Sequence, residues 1–281
     1  MITKKSTKYY LILPLFAIFF GLMIFPTVFG WYLSFNEVFL STFNKPIFNG
    51  IENYINVLSD RMFAKSLIFT FRFTIITTLI ELIIGLGLAI LFNRKIQGKR
   101  FFISFLLLPM MVAPALIGVM YRLILNEFVG PVSYYLGKSL LVSQYVIPTV
   151  IIIDVLQWSP FAFLILYAAL QTVPKEHYEA ASIEGAGGTQ KFWYITLPQI
   201  RPFIIIVLLI RGIDSFKTFD MINVLTSGGP GSMTTTVSIY IYKLAFQSAN
   251  IGKSAAASLL LLLIFSLPLT LALRKIYRER S

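Results

Sequence analysis

The chain has 281 residues, 57% hydrophobic and 13% charged, with a mean hydropathy of +0.79; soluble domains carry about a quarter of their residues as charges, so a water-soluble or disordered protein is excluded and a membrane protein is what fits. The formal charge of +12 comes from Lys and Arg that flank greasy segments, which suits an anionic membrane surface and not nucleic acid, whose binders gather such residues on one water-facing surface. With no cysteine and a single histidine, His177, the chain lacks disulfides, thiolate metal sites and cysteine nucleophiles.

A bilayer core about 30 Å thick needs roughly 20 apolar residues in a helix. Six stretches meet that length, near Tyr9–Phe35, Leu67–Phe92, Phe101–Leu125, Tyr145–Val173, Phe203–Leu225 and Ala255–Leu273. The first follows Lys4, Lys5 and Lys8; its charge-free stretch outruns a secretory h-region and no small-x-small cleavage site follows, so it reads as an uncleaved anchor. Loop charge then sets the orientation. Fourteen Lys and Arg fall on the side of the N-tail, the second–third loop, the fourth–fifth loop and the C-tail, against six on the other side, which predicts both termini in the cytoplasm. Pro14, Pro26, Pro109, Pro114, Pro160 and Pro268 fall inside spans; broken backbone at membrane depth is tolerated where helices or a wet cavity satisfy the freed carbonyls. The paired, similarly interrupted halves of an inverted-repeat transporter are not evident.

The loop between the fourth and fifth spans carries the sharpest signal. Pro174 opens a helix, Glu176 and Glu179 favour the positive end of its dipole, and Gly185, Gly187 and Gly188 end it. Ala180 and Ala181 leave one side nearly bare, so that another protein's backbone can approach, and Glu179 offers an anionic handle. Phe192, Trp193 and Ile195 are expected to pack the segment back onto the bundle before Pro198 leads into the fifth span.

The pattern Glu179-Ala180-Ala181, three residues, Gly185, nine residues, Ile195, one residue, Leu197-Pro198 resembles the EAA loop of permease subunits of bacterial binding-protein-dependent ABC importers. Glu52-Asn53-Tyr54 with Asp60 and Phe63, the run Leu225–Pro230, Tyr240-Ile241-Tyr242, Ala245-Phe246 and Gly252–Ala257 resemble sugar-importer permeases of the maltose and glycerol-3-phosphate type, the first of the two paired permeases most of all. The resemblance implies an all-α membrane protein of six transmembrane helices with type I ABC importer permease architecture. It divides into an N-terminal tail and first helix at 1–35, a five-helix core at 66–274 with the coupling loop at 174–201, and a cytoplasmic tail at 275–281. It further implies a second homologous permease, two cytoplasmic ABC ATPases that hold the ATP and Mg, and an extracytoplasmic sugar-binding protein. This chain would bind no cofactor itself, and the loop would dock into a cleft on an ATPase.

Ionisable groups within spans are costly and usually face the bundle interior or water. Arg211, Asp214, Lys217 and Asp220 recur every three residues with alternating sign, a spacing that makes neighbours on one helix. They either pair among themselves or with Asp154, Glu81, Arg72 or Arg122, or they line a wet cavity with Ser215, Thr218 and Asn223 ready for sugar hydroxyls. In the maltose importer the spans on either side of the EAA loop line the sugar site; the resemblance places Gln157, Trp158 and Phe161, then Arg211, Ser215 and Thr218, at matching positions, with side chains that differ from the maltose pattern. Trp158 and Phe161 are expected either to stack on a pyranose face or simply to pack, and Arg211 or Lys217 to meet an anionic solute if there is one.

No G-x-x-x-x-G-K-[ST], H-E-x-x-H or G-x-S-x-G occurs, so neither a built-in nucleotide motor nor a hydrolase motif is present. The expectation is an ATP-driven sugar importer subunit of the bacterial inner membrane, not itself an enzyme. The alternatives are an ion-coupled secondary transporter using Asp214 and Asp220, and an intramembrane hydrolase using Ser215 or His177.

Overall fold

The computed structural model describes residues 4–278, with side chains for residues 12–266 and Thr270. The side chains of the charge clusters in the two tails and of Pro268 are not among those described. In chain order the elements are α1 Lys4–Phe19, a π turn at Phe20–Ile24, α2 Phe25–Ser34, β1 Asn36–Glu37, β2 Ile47–Phe48, α3 Glu52–Leu58 and α4 Arg61–Asn93. Then follow α5 Lys99–Met111, α6 Pro114–Ile124, α7 Pro131–Leu136, α8 Val146–Gln171, α9 Lys175–Ile183 and α10 Gly188–Lys191. A π turn at Phe192–Thr196 leads to α11 Leu197–Phe216, α12 Asp220–Thr226 and α13 Val237–Tyr242; a third π turn at Lys243–Gln247 precedes α14 Ile251–Arg278.

Among the described residues, four stretches are long and apolar enough to cross a membrane: Ile12–Ser34, Arg61–Asn93, Val146–Gln171 and Gly188–Phe216. The pair α5 and α6 is together long and apolar enough for a further span, and within α14 the described apolar stretch is Ile251–Ser266. Two spans differ from the sequence expectation. The third is not one helix: α5 and α6 meet at 93°. Pro114 favours the break, because its ring disfavours the helical region for the preceding residue, and Val112 and Ala113 are both extended, with ψ 134° and 137°. The fifth span ends at Phe216, and residues 220–226 form a separate helix, so the expected ladder of charges on one continuous helix is interrupted at Lys217.

At Pro14, Pro109, Pro160 and Pro202 the helix continues through the proline. The first two π turns end two residues before Pro26 and Pro198 respectively. A proline donates no N–H and its ring crowds the carbonyl four residues back, and widening the preceding turn relieves both defects.

The chain divides into two compact units, Met1–Lys65 with Tyr240–Ser281, and Ser66–Ile239. In the first, α2 packs on α14, where Ala256 and Ala257 are fully buried. Asp60 is the polar knot of this unit: it accepts from Tyr240 Oη at 2.7 Å, from the Met62 N–H at 2.8 Å and from Lys253 Nζ at 3.3 Å. Burial pushes the Asp60 carboxyl up, but these three donors outweigh it and hold the group below the ordinary carboxylate range.

The second unit has two apolar clusters. One gathers Phe73, Ile117, Val150, Ile153, Ile222 and Ile239; the other gathers Ala89, Phe163, Leu166, Ile200 and Val207. Gly85 on α4 lies so close to Ala162 on α8 that a Cβ there would sit 2.6 Å from the alanine methyl. Small residues let helices approach in this way where lipid supplies no hydrophobic driving force.

Candidate functional site

Between these clusters of the second unit sits a group of buried charges. Arg211 is 2% exposed and Glu81 0%. The guanidinium donates through Nε to Glu81 Oε2 at 2.6 Å and through Nη2 to Glu81 Oε1 at 2.8 Å, the two-pronged geometry that a planar fork allows and an ammonium does not. Nη2 also donates to Asp154 Oδ2 at 3.2 Å. The Arg211 Cζ lies 4.7 Å from the centre of the Trp158 ring, so the aromatic face expected to meet a sugar is turned to the guanidinium. Behind it, Ser215 Oγ and Thr77 Oγ1 share a hydrogen bond of 2.9 Å.

A cavity of about 340 Å³ opens beside this group, lined by Pro114, Asp154, Gln157, Trp158, Arg211, Asp214, Ser215, Lys217, Thr218, Phe219, Asp220 and Met221. Its size falls in the range of small-molecule sites. The lining includes Gln157, Trp158, Arg211, Asp214, Ser215, Lys217, Thr218 and Asp220 from the sequence-derived set. Phe161 does not reach it and is half-buried further along α8. Lys217 and Asp214 pair at 2.9 Å at the open end of α11.

Gln157 joins the cavity to the broken span. Its Nε2 donates to the Val112 carbonyl at 3.0 Å, satisfying an acceptor freed by the break, while its Oε1 is buried without a hydrogen-bond partner. Of the residues that shape the neighbouring turn, Gly228 lies in the run Leu225–Pro230 marked by sequence, while Thr235 and Thr236 were not singled out. Gly228, at φ +83°, has no room for a Cβ against Thr235, and Thr235 Oγ1 donates to the Gly228 carbonyl at 3.0 Å. Thr236 Oγ1 donates to the Thr218 carbonyl at 3.1 Å and so fixes the cavity wall. A run of three threonines after a glycine turn was the available signal.

The loop after α8 forms the other candidate site. In α9, Glu179 and Ala180 are exposed and Ala181 is half-buried. The helix stops because Gly185 takes φ +79°, which lets Gly185 N donate to Ser182 O at 3.1 Å and Ala186 N to Ala181 O at 2.8 Å; this left-handed cap satisfies carbonyls that the helix end would orphan. Tyr178 Oη shares a 2.9 Å hydrogen bond with Thr196 Oγ1, and Lys191 Nζ donates to Ser182 Oγ at 2.7 Å, tying α9 to the base of α11. Ile195 and Phe203 pack on the core of the second unit, and Leu197 and Pro198 open α11. Trp193 does not pack back as expected: it is 58% exposed, beside Tyr194 at 81% and Ile183 at 88%. Trp193 and Tyr194 lie in the π turn, which leaves their side chains outward, and Ile183 ends α9. His177 is exposed too. Among the described residues, no group of three or more His, Asp and Glu is placed to hold a metal ion.

Comparison with known proteins agrees with this architecture. Residues 81–278 match the family described as "Binding-protein-dependent transport system inner membrane component". The trehalose/maltose transport system permease protein MalF of Thermococcus litoralis is 34% identical over 276 residues, covering 95% of this chain and 91% of that protein. The multiple sugar-binding transport system permease protein MsmF of Streptococcus mutans is 31% identical, covering 95% and 94%. The sn-glycerol-3-phosphate transport system permease protein UgpA of Agrobacterium fabrum is 33% identical, covering 77% and 76%. Among solved structures, a chain of a bacterial ABC transporter involved in the import of alginate superposes with a TM-score of 0.79 at 20% identity, over 99% of this chain and 97% of that one. The fold is therefore that of an ABC importer permease, and the chain belongs to the family of inner-membrane components of binding-protein-dependent transport systems.

Proposed function

We propose that the chain is a transmembrane subunit of an ATP-driven sugar importer, with both termini in the cytoplasm. It works with a second homologous permease, two cytoplasmic ATPases that bind the ATP and Mg, and an extracytoplasmic sugar-binding protein. One observation carries this reading: α11 runs from the exposed α9 loop to the polar cavity. Thr196, at its base, holds Tyr178 of α9, while Arg211 and Ser215, near its other end, line the cavity. Twenty helical residues span about 30 Å, so a push on α9 tilts the wall of the solute path.

In this reading Glu179, Ala180, Ala181 and Gly185 shape the docked surface, and the Tyr178–Thr196 bond with Ile195, Leu197 and Pro198 passes its movement to α11. Closure of the ATPases on ATP drives that movement, and hydrolysis releases it. The solute passes the cavity at Asp154, Gln157, Trp158, Arg211, Asp214, Ser215, Lys217, Thr218 and Asp220. The sugar class follows the relatives named for trehalose, maltose and multiple sugars.

The test is co-purification of the chain with its ATPase, followed by sugar uptake into proteoliposomes. Glu179→Ala with Gly185→Val is expected to weaken both the association and ATP-dependent uptake. Unchanged assembly and transport would refute the coupling role, and uptake driven by an ion gradient without any ATPase would replace it with a secondary transporter.

A further inference from the structure

The cavity is richer in carboxylates than in free positive charge. Asp154, Asp214 and Asp220 line it, and Glu81 stands behind Arg211. Against these four carboxylates stand two cations, and both are engaged: Arg211 by Glu81 and Asp154, Lys217 by Asp214. A guanidinium held by two carboxylates still donates hydrogen bonds but no longer presents net positive charge to a solute. The charges of Glu81, Arg211 and Asp154 are buried and so weakly screened, and their summed sign bears on which solutes enter. Gln157 lines the same cavity, and its buried Oε1 is an unpartnered acceptor, which suits a hydroxyl donor and has nothing to offer a phosphate oxygen.

We propose that this cavity selects neutral, hydroxyl-rich solutes and rejects anionic ones such as sugar phosphates, and that Glu81 sets this selectivity by cancelling Arg211. The inference rests on the solute path proposed above and deepens it by naming the solute's charge class. Glu81 acts through Arg211 and is a positioning residue. Removing its charge raises the net charge of the group by one and leaves Arg211, which faces the cavity, with Asp154 as its remaining carboxylate partner.

The test uses the full chain in lipid nanodiscs with Trp31→Phe and Trp193→Phe, which leaves Trp158 as the one indole reporter. Its emission is quenched by neutral acrylamide and, at constant ionic strength, by iodide. Acrylamide is expected to quench at least threefold more effectively than iodide, and Glu81→Gln to bring iodide up to parity. Because loss of a buried charge partner can prevent folding, Asp220→Asn serves as the second variant: Asp220 is exposed at the cavity edge, and its loss is expected to raise iodide quenching by a smaller factor. Maltose is expected to shield Trp158 from acrylamide at concentrations where sn-glycerol 3-phosphate does not. Equal quenching by iodide and acrylamide in the parent, an unchanged ratio in both variants, or shielding by the phosphate alone would overturn the proposal. Quenching reads the charge around Trp158 whether or not the chain moves sugar, so its failure is separate from failure of the uptake assay.

Discussion

Arg211 shows how much of a membrane bundle can hang on one side chain. Desolvating a guanidinium is tolerable only when partners compensate, and removing one member of a buried ion set typically costs about 3–5 kcal/mol because the others are left uncompensated. Arg211→Met is therefore expected to lower the thermal unfolding temperature of the detergent-solubilised chain sharply, followed by intrinsic fluorescence. Arg211→Lys should lie between, since it restores the charge without the two-pronged contact to Glu81. Adding Glu81→Gln to Arg211→Met should recover part of the loss. The sequence made Arg211 conspicuous, yet its partner lies 130 positions away, a pairing that no helical spacing reveals. Asp60 gives a milder case with a pH signature. Its folded-state carboxyl is held below the ordinary range by Tyr240, Met62 and Lys253 despite burial. A lowered folded-state value means that its contribution is complete above the unfolded value, near pH 4, and is lost as pH falls through the folded one. Tyr240→Phe is expected to remove about 1 kcal/mol at pH 7 and to flatten the acid limb of a stability–pH curve; an unchanged limb would show that Asp60 does not contribute there.

At the level of elements, the α9 loop was legible because local chemistry decides it. Proline at the start, an acid in the first turn and glycine at the end need no distant partner, and the structure places the left-handed residue at Gly185. A Cβ there would meet nothing within 4 Å, so the obstacle to substitution is backbone strain alone. Gly185→Ala is accordingly expected to cost about 1 kcal/mol, and Gly185→Asn less, because asparagine tolerates the left-handed region. If α9 couples to an ATPase, sugar uptake per ATP hydrolysed should fall in the same order, a ratio measurable in proteoliposomes. The α5–α6 break was half legible. Pro109 and Pro114 marked it, but a proline inside an apolar run is compatible with a kink, a π turn or a full break, and Pro14, Pro109 and Pro160 all lie inside continuous helices. What tips Pro114 into a 93° turn is a waiting donor, Gln157 on α8, for the Val112 carbonyl. That is tertiary information, as is the end of α11 at Phe216, where the threonine turn holds Thr218 through Thr236.

At the scale of the whole molecule, the distribution of Lys and Arg makes a claim that the coordinates by themselves do not carry, because a bundle of helices has the same internal contacts whichever way it is inserted. Fourteen basic residues on the side that holds the α9 loop, against six opposite, predict that this loop faces the cytoplasm. The chain has no native cysteine, so single-cysteine variants report topology without background. Glu184→Cys, exposed at the end of α9, and Lys138→Cys, exposed in the loop before α8, differ in which side of the bilayer they sample. In intact cells or right-side-out vesicles a membrane-impermeant maleimide is expected to label Lys138→Cys at once, and Glu184→Cys only after the membrane is opened. Labelling of Glu184→Cys from outside would place the exposed Ile183, Trp193 and Tyr194 of this loop where no cytoplasmic ATPase can reach them. The link from α9 through α11 to the cavity would then need a different source of force, since α11 transmits only what acts on its base.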